Sequence, residues 1–300
     1  MVKKTGWGFI ILVLVVLGLF SIIIAGAIGL FITEPLEIGN VAVIEVKGAI
    51  TSFSSGFGSD NADVDDIVKF IEHAEEDKGV QAVVFLINSP GGAPVASDEI
   101  ARAINRLNKT TVAVIRDVGA SGAYWIATTT DHIIANPMSI TGSIGVLGSY
   151  LEFGDLLSEY NVTYRRLVSG KYKDLGSPLK EMTVEEAVIF QTVLDEIHNE
   201  FVNTVAENRG MDVETVKELA TGQFYTGRQA LELGLIDELG ALEEAEEYIK
   251  KVEKLEEIEL AYYKKPKSFL ESMMEATQDS SFNVGRGIGS SLKQDDGVRI

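Results

Sequence analysis

The order of apolar and polar residues divides the chain into one long apolar run near its amino end and a region of shorter, alternating segments. The long run extends from Trp7 to Ile32, contains no charged residue and follows Lys3 and Lys4. About twenty such residues cross a bilayer core, whereas a cleavable signal has an apolar stretch of only about 7–15 residues. The pattern therefore predicts one transmembrane helix at residues 7–32.

The flanks of this run indicate its orientation. Lysines before a membrane span stay in the cytoplasm, so residues 1–6 are expected there and everything after about residue 34 outside. Ala25-Gly26-Ala27 resembles a signal cleavage site, but apolar residues continue on both sides of it, which favours a retained anchor. We expect a single-pass protein of the cell membrane, whose extracytoplasmic working part follows a linker at residues 33–40.

Beyond the linker, strand-like and helix-like patterns alternate. Val41 to Lys47 is predicted as the first strand, and Ala82 to Asn88 is an almost continuously apolar strand, as is typical of a parallel strand covered on both faces. Between these runs, apolar residues recur at the spacing of an amphipathic helix: Val64, Ile67, Val68, Ile71 and Ala74. The same unit returns as a strand at Thr111 to Arg116 and a helix from Gly122. Repeated units of this kind predict an α/β fold with mostly parallel strands and with loops gathered at one sheet edge.

The composition excludes several kinds of site. A net charge of -19 and a pI near 4.6 oppose a nucleic-acid surface, which needs clustered Lys and Arg. The chain has no cysteine, which excludes disulfides, thiolate metal ligands and a cysteine nucleophile. His73, His132 and His198 lie far apart in sequence without ligand spacing, so we expect neither zinc nor another metal. No cofactor is expected.

Ser121 stands at the corner between the strand that ends at Arg116-Asp117 and the helix from Gly122. A hydroxyl there is exposed and lies near the positive end of a helix dipole, and Gly119 and Gly122 let a substrate approach the backbone. Those are the needs of a nucleophile, although a serine in this place is also a good helix N-cap. The motif departs from the Gly-x-Ser-x-Gly nucleophile elbow, because Ala123 stands where the second glycine would be.

A second corner follows the apolar strand that ends at Asn88. Pro90-Gly91-Gly92 comes next, and a helix with Pro94 near its first turn follows. Strand, glycine turn and helix start together present free backbone N–H groups, which can cradle an anion or an oxyanion. The alternative is a tight turn that only requires glycine.

These motifs, with four others in the same order, resemble the signal peptide peptidase A family, membrane-anchored serine proteases of the Clp protease/crotonase fold. The matching stretches are Asn88 to Gly92, Gly119 to Tyr124, Ile133 to Pro137, Ile140 to Val146, Lys173-Asp174 with Ser177-Pro178, and Tyr225 to Asp237. The resemblance covers about residues 41–262. It implies a Clp protease/crotonase-like protease domain at residues 41–264, and we expect a mobile carboxyl tail at residues 265–300.

The resemblance implies a Ser/Lys dyad in which Ser121 is the nucleophile and Lys173 is the base. It also implies that Ser143 hydrogen-bonds the lysine and orients it. The oxyanion hole is implied among the backbone amides of Gly91, Gly92 and Gly122.

The residues themselves leave the base open between two lysines. A histidine base would have to lie near Ser121, yet His132 begins a strand and His198 lies in an amphipathic helix. A lysine can serve if burial lowers its pKa from about 10.4 toward about 7–8, which requires a site shielded from water. Lys171 lies two residues from Lys173 and stays the alternative to the base that the resemblance implies.

By resemblance, the protein is a serine endopeptidase that degrades cleaved signal peptides and other apolar or unfolded segments outside the cytoplasm. The resemblance also implies a homo-oligomeric ring on the membrane, with the dyad formed either within one subunit or between neighbours. The alternatives are a stomatin-processing-type Ser/Lys membrane protease, an acyl-CoA hydratase or isomerase of the crotonase type, and a catalytically silent membrane scaffold. A hydratase would need catalytic acids and is usually cytoplasmic, and a stomatin-processing protease normally carries further membrane spans.

Overall fold

The computed structural model describes most of the chain, namely residues 7–31, 38–52 and 61–264. Three predicted segments lie wholly or mostly outside the described residues: the cytoplasmic end at 1–6, the linker at 33–40 and the carboxyl tail at 265–300. The chain forms two units, Met1–Leu36 with Lys264–Ile300, and Glu37–Tyr263.

The first unit contains helix α1, Trp7–Phe31, which has 25 residues and no charged side chain. Its side chains are described for residues 7–22 and 24. Within the described part of the chain, no helix combines the length and the apolar character that crossing a membrane requires. The transmembrane helix at residues 7–32 therefore stays a prediction.

The second unit alternates strands and helices, as the sequence pattern predicts. The strands are β1 (Val41–Lys47), β2 (Ile50–Thr51), β3 (Ala62–Asp63), β4 (Ala82–Ser89), β5 (Thr110–Ala120), β6 (His132–Ala135), β7 (Ile140–Gly142), β8 (Phe224–Thr226), β9 (Glu238–Leu239) and β10 (Leu260–Tyr263). The helices are α2 (Val64–Glu76), α3 (Pro94–Ile104), α4 (Gly122–Thr128), α5 (Gly154–Glu159), α6 (Val184–Arg209), α7 (Val213–Leu219), α8 (Gly227–Glu232) and α9 (Leu242–Glu253).

One sheet organises this unit, with strand order β10-β1-β4-β5-β6-β9 and every pair along that path parallel. Among the described strands only β8 runs antiparallel to its neighbour, β7. The predicted α/β fold with mostly parallel strands is confirmed. β2 and β3 form a separate parallel pair.

Helices cover the sheet, which explains why its central strands are continuously apolar. Val84 and Val114 pack with Ala245 and Ile249 of α9 in one buried cluster. The apolar stripe of α2 is buried and contacts β1 and α3. A parallel strand covered on both faces needs apolar side chains at successive positions, and β4 supplies them.

β5 is longer than its sequence pattern predicts, because it continues beyond Arg116 to Ala120. The register against β4 shifts where Ile87 pairs with Ile115 and Ser89 pairs with Gly119. The Asn88 side chain bridges this irregularity. Its Nδ2 donates to Asp117 Oδ2 at 3.0 Å, and its Oδ1 accepts from the Val118 backbone amide at 3.2 Å. The charged pair 116–117 is therefore a bulge inside the strand and not its end.

The second half of β5 carries the chain to the functional region. Val118 to Ala120 pair in parallel with Ile140 to Gly142 of β7, and β7 in turn pairs with β8. Ala120 lies opposite Gly142 in this register. Ser121 and Ser143 directly follow these two strands, and the Ser121 amide donates to the Gly142 carbonyl at 2.8 Å, so the backbone ladder brings the two strand ends together.

Candidate active site

Ser121 adopts a backbone conformation that is uncommon for a residue with a side chain. Its φ is 54° and its ψ is −127°, and its side chain makes no capping hydrogen bond to α4. Ser121 therefore occupies the N-cap position of α4 without capping the helix through its hydroxyl. Such strained conformations cost about 1–3 kcal/mol and concentrate at functional sites, where the surrounding structure enforces them.

Backbone hydrogen bonds enforce this corner from both sides. The Ser121 amide donates to the Gly142 carbonyl at 2.8 Å, and the Ser121 carbonyl accepts from the amides of Tyr124 and Trp125 at 2.9 and 3.0 Å. Thr141 Oγ1 donates to the Gly119 carbonyl at 2.7 Å. Because these bonds fix the main chain before and after Ser121, the half-buried side chain has a defined direction at the cavity wall.

The glycine turn after β4 lies directly against this corner. Gly91 has a φ of +95°, and a Cβ placed on it would lie 2.7 Å from the Gly122 nitrogen and from the Ala120 carbonyl oxygen. The Gly91 amide is already used, because it donates to Ser89 Oγ at 3.1 Å. The amides of Gly92 and Gly122 donate to no described residue. Of the three glycines expected at the oxyanion hole, these two have amides available for a ligand.

Ser143 lines the same cavity as Ser121. Its amide donates to the Gln223 carbonyl at 2.9 Å, and its Oγ lies 3.4 Å from the Gly222 carbonyl oxygen. It also has a positive φ, 50°. The structure therefore brings together Ser121, Ser143 and the two free glycine amides, as the sequence analysis expects.

The cavity beside Ser121 has a volume of about 680 Å³. Helix α6 forms much of its wall, with Leu194, Ile197 and Phe201, and Trp125 of α4 stacks on Phe201 at a ring-centre distance of 4.9 Å. This wall is not predicted from the sequence. The apolar stripe of α6 is visible there, but such a stripe usually indicates core packing.

His198 also lies in the cavity wall, although the sequence analysis sets it aside. Its Nε2 is 2.9 Å from the Ala220 carbonyl oxygen. A carbonyl only accepts, so Nε2 carries the proton and donates it to the main chain. This contact ties α6 to the segment that follows α7.

The two candidate lysines have different surroundings. Lys171 Nζ contacts both carboxylate oxygens of Glu185, at 2.7 and 2.8 Å. Its hydrogen bond to Glu185, followed by its contact with Tyr172, holds the pKa of Lys171 well above its usual range. An ammonium held in this way is a poor base. The Lys173 side chain has no hydrogen bond or ion pair with a described residue.

Lys173 and Ser121 do not meet in one cavity of this chain. Lys173 is exposed in the turn region 171–176 and does not line the Ser121 cavity. The water-shielded site that a lysine base requires is therefore not built around Lys173 by one chain alone. The assignment of Lys173 as the base stays a prediction.

The close approach at Gly122 gives a testable prediction. A Cβ on Gly122 would overlap with Ser97 Oγ of α3 and lie 3.4 Å from the Gly92 nitrogen. Gly122→Ala should therefore lower the free energy of unfolding by about 1–3 kcal/mol through overpacking. It should also lower kcat at least about tenfold, because the two amides beside Ser121 move apart. Thermal unfolding and steady-state cleavage measure the two effects.

Ser97→Ala in the Gly122→Ala background removes the overlapping hydroxyl and should restore most of the lost stability. Gly148→Ala is the matched control, since its Cβ would meet only Leu194 side-chain atoms at ordinary contact distances of 3.6 and 3.8 Å. Wild-type cleavage and stability in Gly122→Ala would contradict the close approach described here.

The chain is similar to several known proteins. Residues 103–257 match peptidase family S49. A protein of Enterococcus faecium, provisionally named signal peptide peptidase SppA, is 35% identical over 240 residues, which cover 77% of this chain and 70% of that protein. A provisionally named protease of Synechocystis sp. is 42% identical over 212 residues, covering 69% of this chain and 72% of that protein. The solved structure of a membrane-bound stomatin-specific protease is similar at a TM-score of 0.44 and 19% identity, covering 69% of this chain and 83% of that one.

Proposed function

The chain belongs to peptidase family S49, the signal peptide peptidase A family, and from this membership we infer that its serine peptidase activity uses a Ser121–Lys173 dyad. We propose that it cleaves signal peptides and other apolar or unfolded segments at the membrane, outside the cytoplasm. The observation that carries the proposal is the strained Ser121 in one cavity with Ser143 and the glycine turn.

In the proposed reaction, the neutral amine of Lys173 takes the proton of the Ser121 hydroxyl while Oγ bonds to the scissile carbonyl carbon. The carbonyl electron pair moves to oxygen, where the amides of Gly92 and Gly122 stabilise it, an effect worth about 2.7–4 kcal/mol per donor in other proteases. The carbonyl then reforms, the C–N bond breaks, and the ammonium of Lys173 gives its proton to the leaving amine.

Water completes the cycle. It attacks the acyl ester while Lys173 takes its proton, and the C–O bond to Ser121 breaks as that oxygen recovers a proton from the lysine. The acid product leaves and the dyad returns to its starting state. These steps balance without a metal or a cofactor.

We propose that a neighbouring subunit supplies Lys173 in a homo-oligomeric ring. Two observations support this: Lys173 is outside the Ser121 cavity of its own chain, and the stretch 151–179 that contains it exposes large apolar side chains. They include Leu151, Tyr160 and Leu167, the last of which is 95% exposed. A neighbour that covered this segment would bury these side chains and shield the lysine from water.

We also propose that residues 7–32 anchor the protein as a single membrane span with a cytoplasmic amino end. The uncharged apolar run of the sequence at residues 7–32 and the two lysines before it support this topology. A membrane anchor would keep the peptidase near apolar peptides that leave the bilayer.

The apolar wall of the cavity supports the substrate class. Purified full-length protein in detergent micelles should cleave an apolar, signal-like peptide at least about tenfold faster, by kcat/KM, than a peptide of equal length with Asp and Ser at its apolar positions. Mass spectrometry of the products locates the cut. Equal kcat/KM values for the two peptides would exclude apolar selectivity, while leaving the peptidase itself intact.

A further inference from the structure

One arginine outside the cavity holds the turn that carries Lys173. Arg166 Nε and Nη2 contact the two carboxylate oxygens of Asp174 at 2.5 and 2.8 Å. The same Nη2 donates to the Lys171 carbonyl at 2.8 Å. The three bonds attach to the chain on either side of Lys173, so one planar guanidinium fixes both ends of the segment that presents this lysine.

The contact between Arg166 and Asp174 is a bidentate ion pair. A guanidinium that meets a carboxylate through two parallel bonds is more rigid and more favourable than a single ion pair. The Asp174 side chain is only 9% exposed, and that of Arg166 is 41% exposed. Lys171 and Tyr172 of the same turn also bond to Glu185 of α6 through their side chains. The backbone bonds within the turn are short-range, such as that from the Lys173 amide to the Gly170 carbonyl at 3.3 Å.

Acidic side chains on the turn and on α6 are paired with cationic groups. Glu185 of α6 is paired with Lys171, and Glu186 of α6 is paired with Lys180. The two hydrogen bonds from Arg166 hold the pKa of Asp174 below its usual range; desolvation opposes this shift, and the Asp174 backbone and Lys180 lower the pKa by smaller amounts. Tyr164 is a further titratable group near Arg166. Each of these three acidic groups therefore already has a cationic partner.

Lys171 shows what a nearby carboxylate does to an exposed lysine here. Its contact with Glu185 holds its ammonium in the protonated form, as its raised pKa indicates. Asp174 is adjacent to Lys173 in sequence. If its carboxylate were unoccupied, it would be the acidic group most directly able to hold the Lys173 ammonium in the same way.

We propose that Arg166 is a positioning residue for the base: it fixes the turn that presents Lys173, and it occupies the Asp174 carboxylate so that this group does not pair with the Lys173 ammonium. This inference rests on the proposed function, in which Lys173 is the base. It assigns no contact between Arg166 and the substrate.

Arg166→Gln in the full-length protein should lower kcat by about 10- to 100-fold, because the lysine is no longer held in register with its serine. The freed Asp174 carboxylate favours the protonated amine, so the acid limb of kcat/KM against pH should move up by about one pH unit. KM should change little. Arg165→Gln is the matched control, because it removes the same charge one position away. Arg165 is exposed and has no ion pair with a described residue.

The two roles of Arg166 are separated by variants at Asp174. Asp174→Asn breaks the bidentate ion pair without leaving a carboxylate, so kcat should fall while the acid limb stays at its wild-type position. Arg166→Gln with Asp174→Asn should return the acid limb to that position while kcat stays low, and Arg166→Lys should recover part of kcat. Gel filtration and thermal unfolding check folding and assembly, and Asp174→Asn and Arg166→Lys decide the question if Arg166→Gln does not assemble.

An acid limb and a kcat in Arg166→Gln that match those of Arg165→Gln would overturn the inference, and so would an acid limb that Asp174→Asn fails to restore. The fate of the proposed function is read separately from Lys173→Ala. If Lys173→Ala is inactive while Arg166→Gln behaves like the wild type, only the proposed role of Arg166 is wrong. A fully active Lys173→Ala removes both.

Discussion

Ser121→Ala is expected to abolish peptide cleavage, with a fall in kcat/KM of about 10⁴-fold or more. Without Oγ no acyl-enzyme forms, and the free glycine amides alone retain only a small part of the rate. The substitution should preserve the fold, because the Ser121 side chain makes no capping hydrogen bond and the backbone bonds to Gly142, Tyr124 and Trp125 remain. The measurement is kcat/KM with the apolar peptide.

Covalent labelling gives an independent measure of the same residue. A fluorophosphonate probe should add one mass increment per chain in the wild type and none in Ser121→Ala. Ser158→Ala, at an exposed serine of α5, is the control and should be labelled and active like the wild type. If Ser121→Ala were still labelled and still cut at the wild-type rate, the nucleophile would be another residue.

Lys173→Ala is expected to lower kcat/KM at least about 10³-fold, because removing a catalytic base leaves the serine hydroxyl protonated at the moment of attack. Lys171→Ala is the matched variant two residues away. It removes the same charge and breaks the pair with Glu185, yet it should keep activity within a few-fold of the wild type. A reversed result, with Lys171→Ala inactive and Lys173→Ala active, would assign the base to Lys171.

Mixing inactive subunits tests where the dyad forms. If a neighbour supplies the lysine, an oligomer reassembled from Ser121→Ala and Lys173→Ala chains contains some intact pairs and should recover part of the wild-type activity. Each variant alone should stay inactive after the same dissociation and reassembly. No recovery in assembled mixtures would place both members of the dyad on one chain.

Several strands and helices are predictable from the sequence pattern, because the polarity of their side chains matches the burial of each position. The continuous apolar run of β4 predicts a strand covered on both faces, and the spacing from Val64 to Ala74 predicts α2. The full length of β5 is not predicted from the sequence, because Arg116 and Asp117 look like the end of a strand. The pairing of Asn88 with the main chain and side chain of the opposite strand, which keeps the bulge inside the sheet, is a long-range contact that local pattern does not encode.

The candidate site likewise contains parts that the local sequence predicts and parts that depend on long-range contacts. Ser121 and the glycine turn stand at recognisable corners of the chain, so both are predictable. The proximity of Ser143 to Ser121 depends on the register of β5 against β7, and the cavity wall depends on where α6 packs. Neither is determined by residues near each other in sequence. The surroundings of Lys173 also include surfaces beyond one chain, if a neighbour covers it as proposed.

The direction of Ser121 rests on the main-chain ladder of β5 and β7, whereas Leu194, Ile197 and Phe201 of the cavity wall belong to α6. The proposed nucleophile and this part of the apolar wall thus belong to different structural elements. Substitutions on the inner face of α6 can enlarge, narrow or polarise the cavity while the nucleophile keeps its geometry. The protein is for this reason a suitable starting scaffold for reprogramming peptide preference by directed evolution of a single helix.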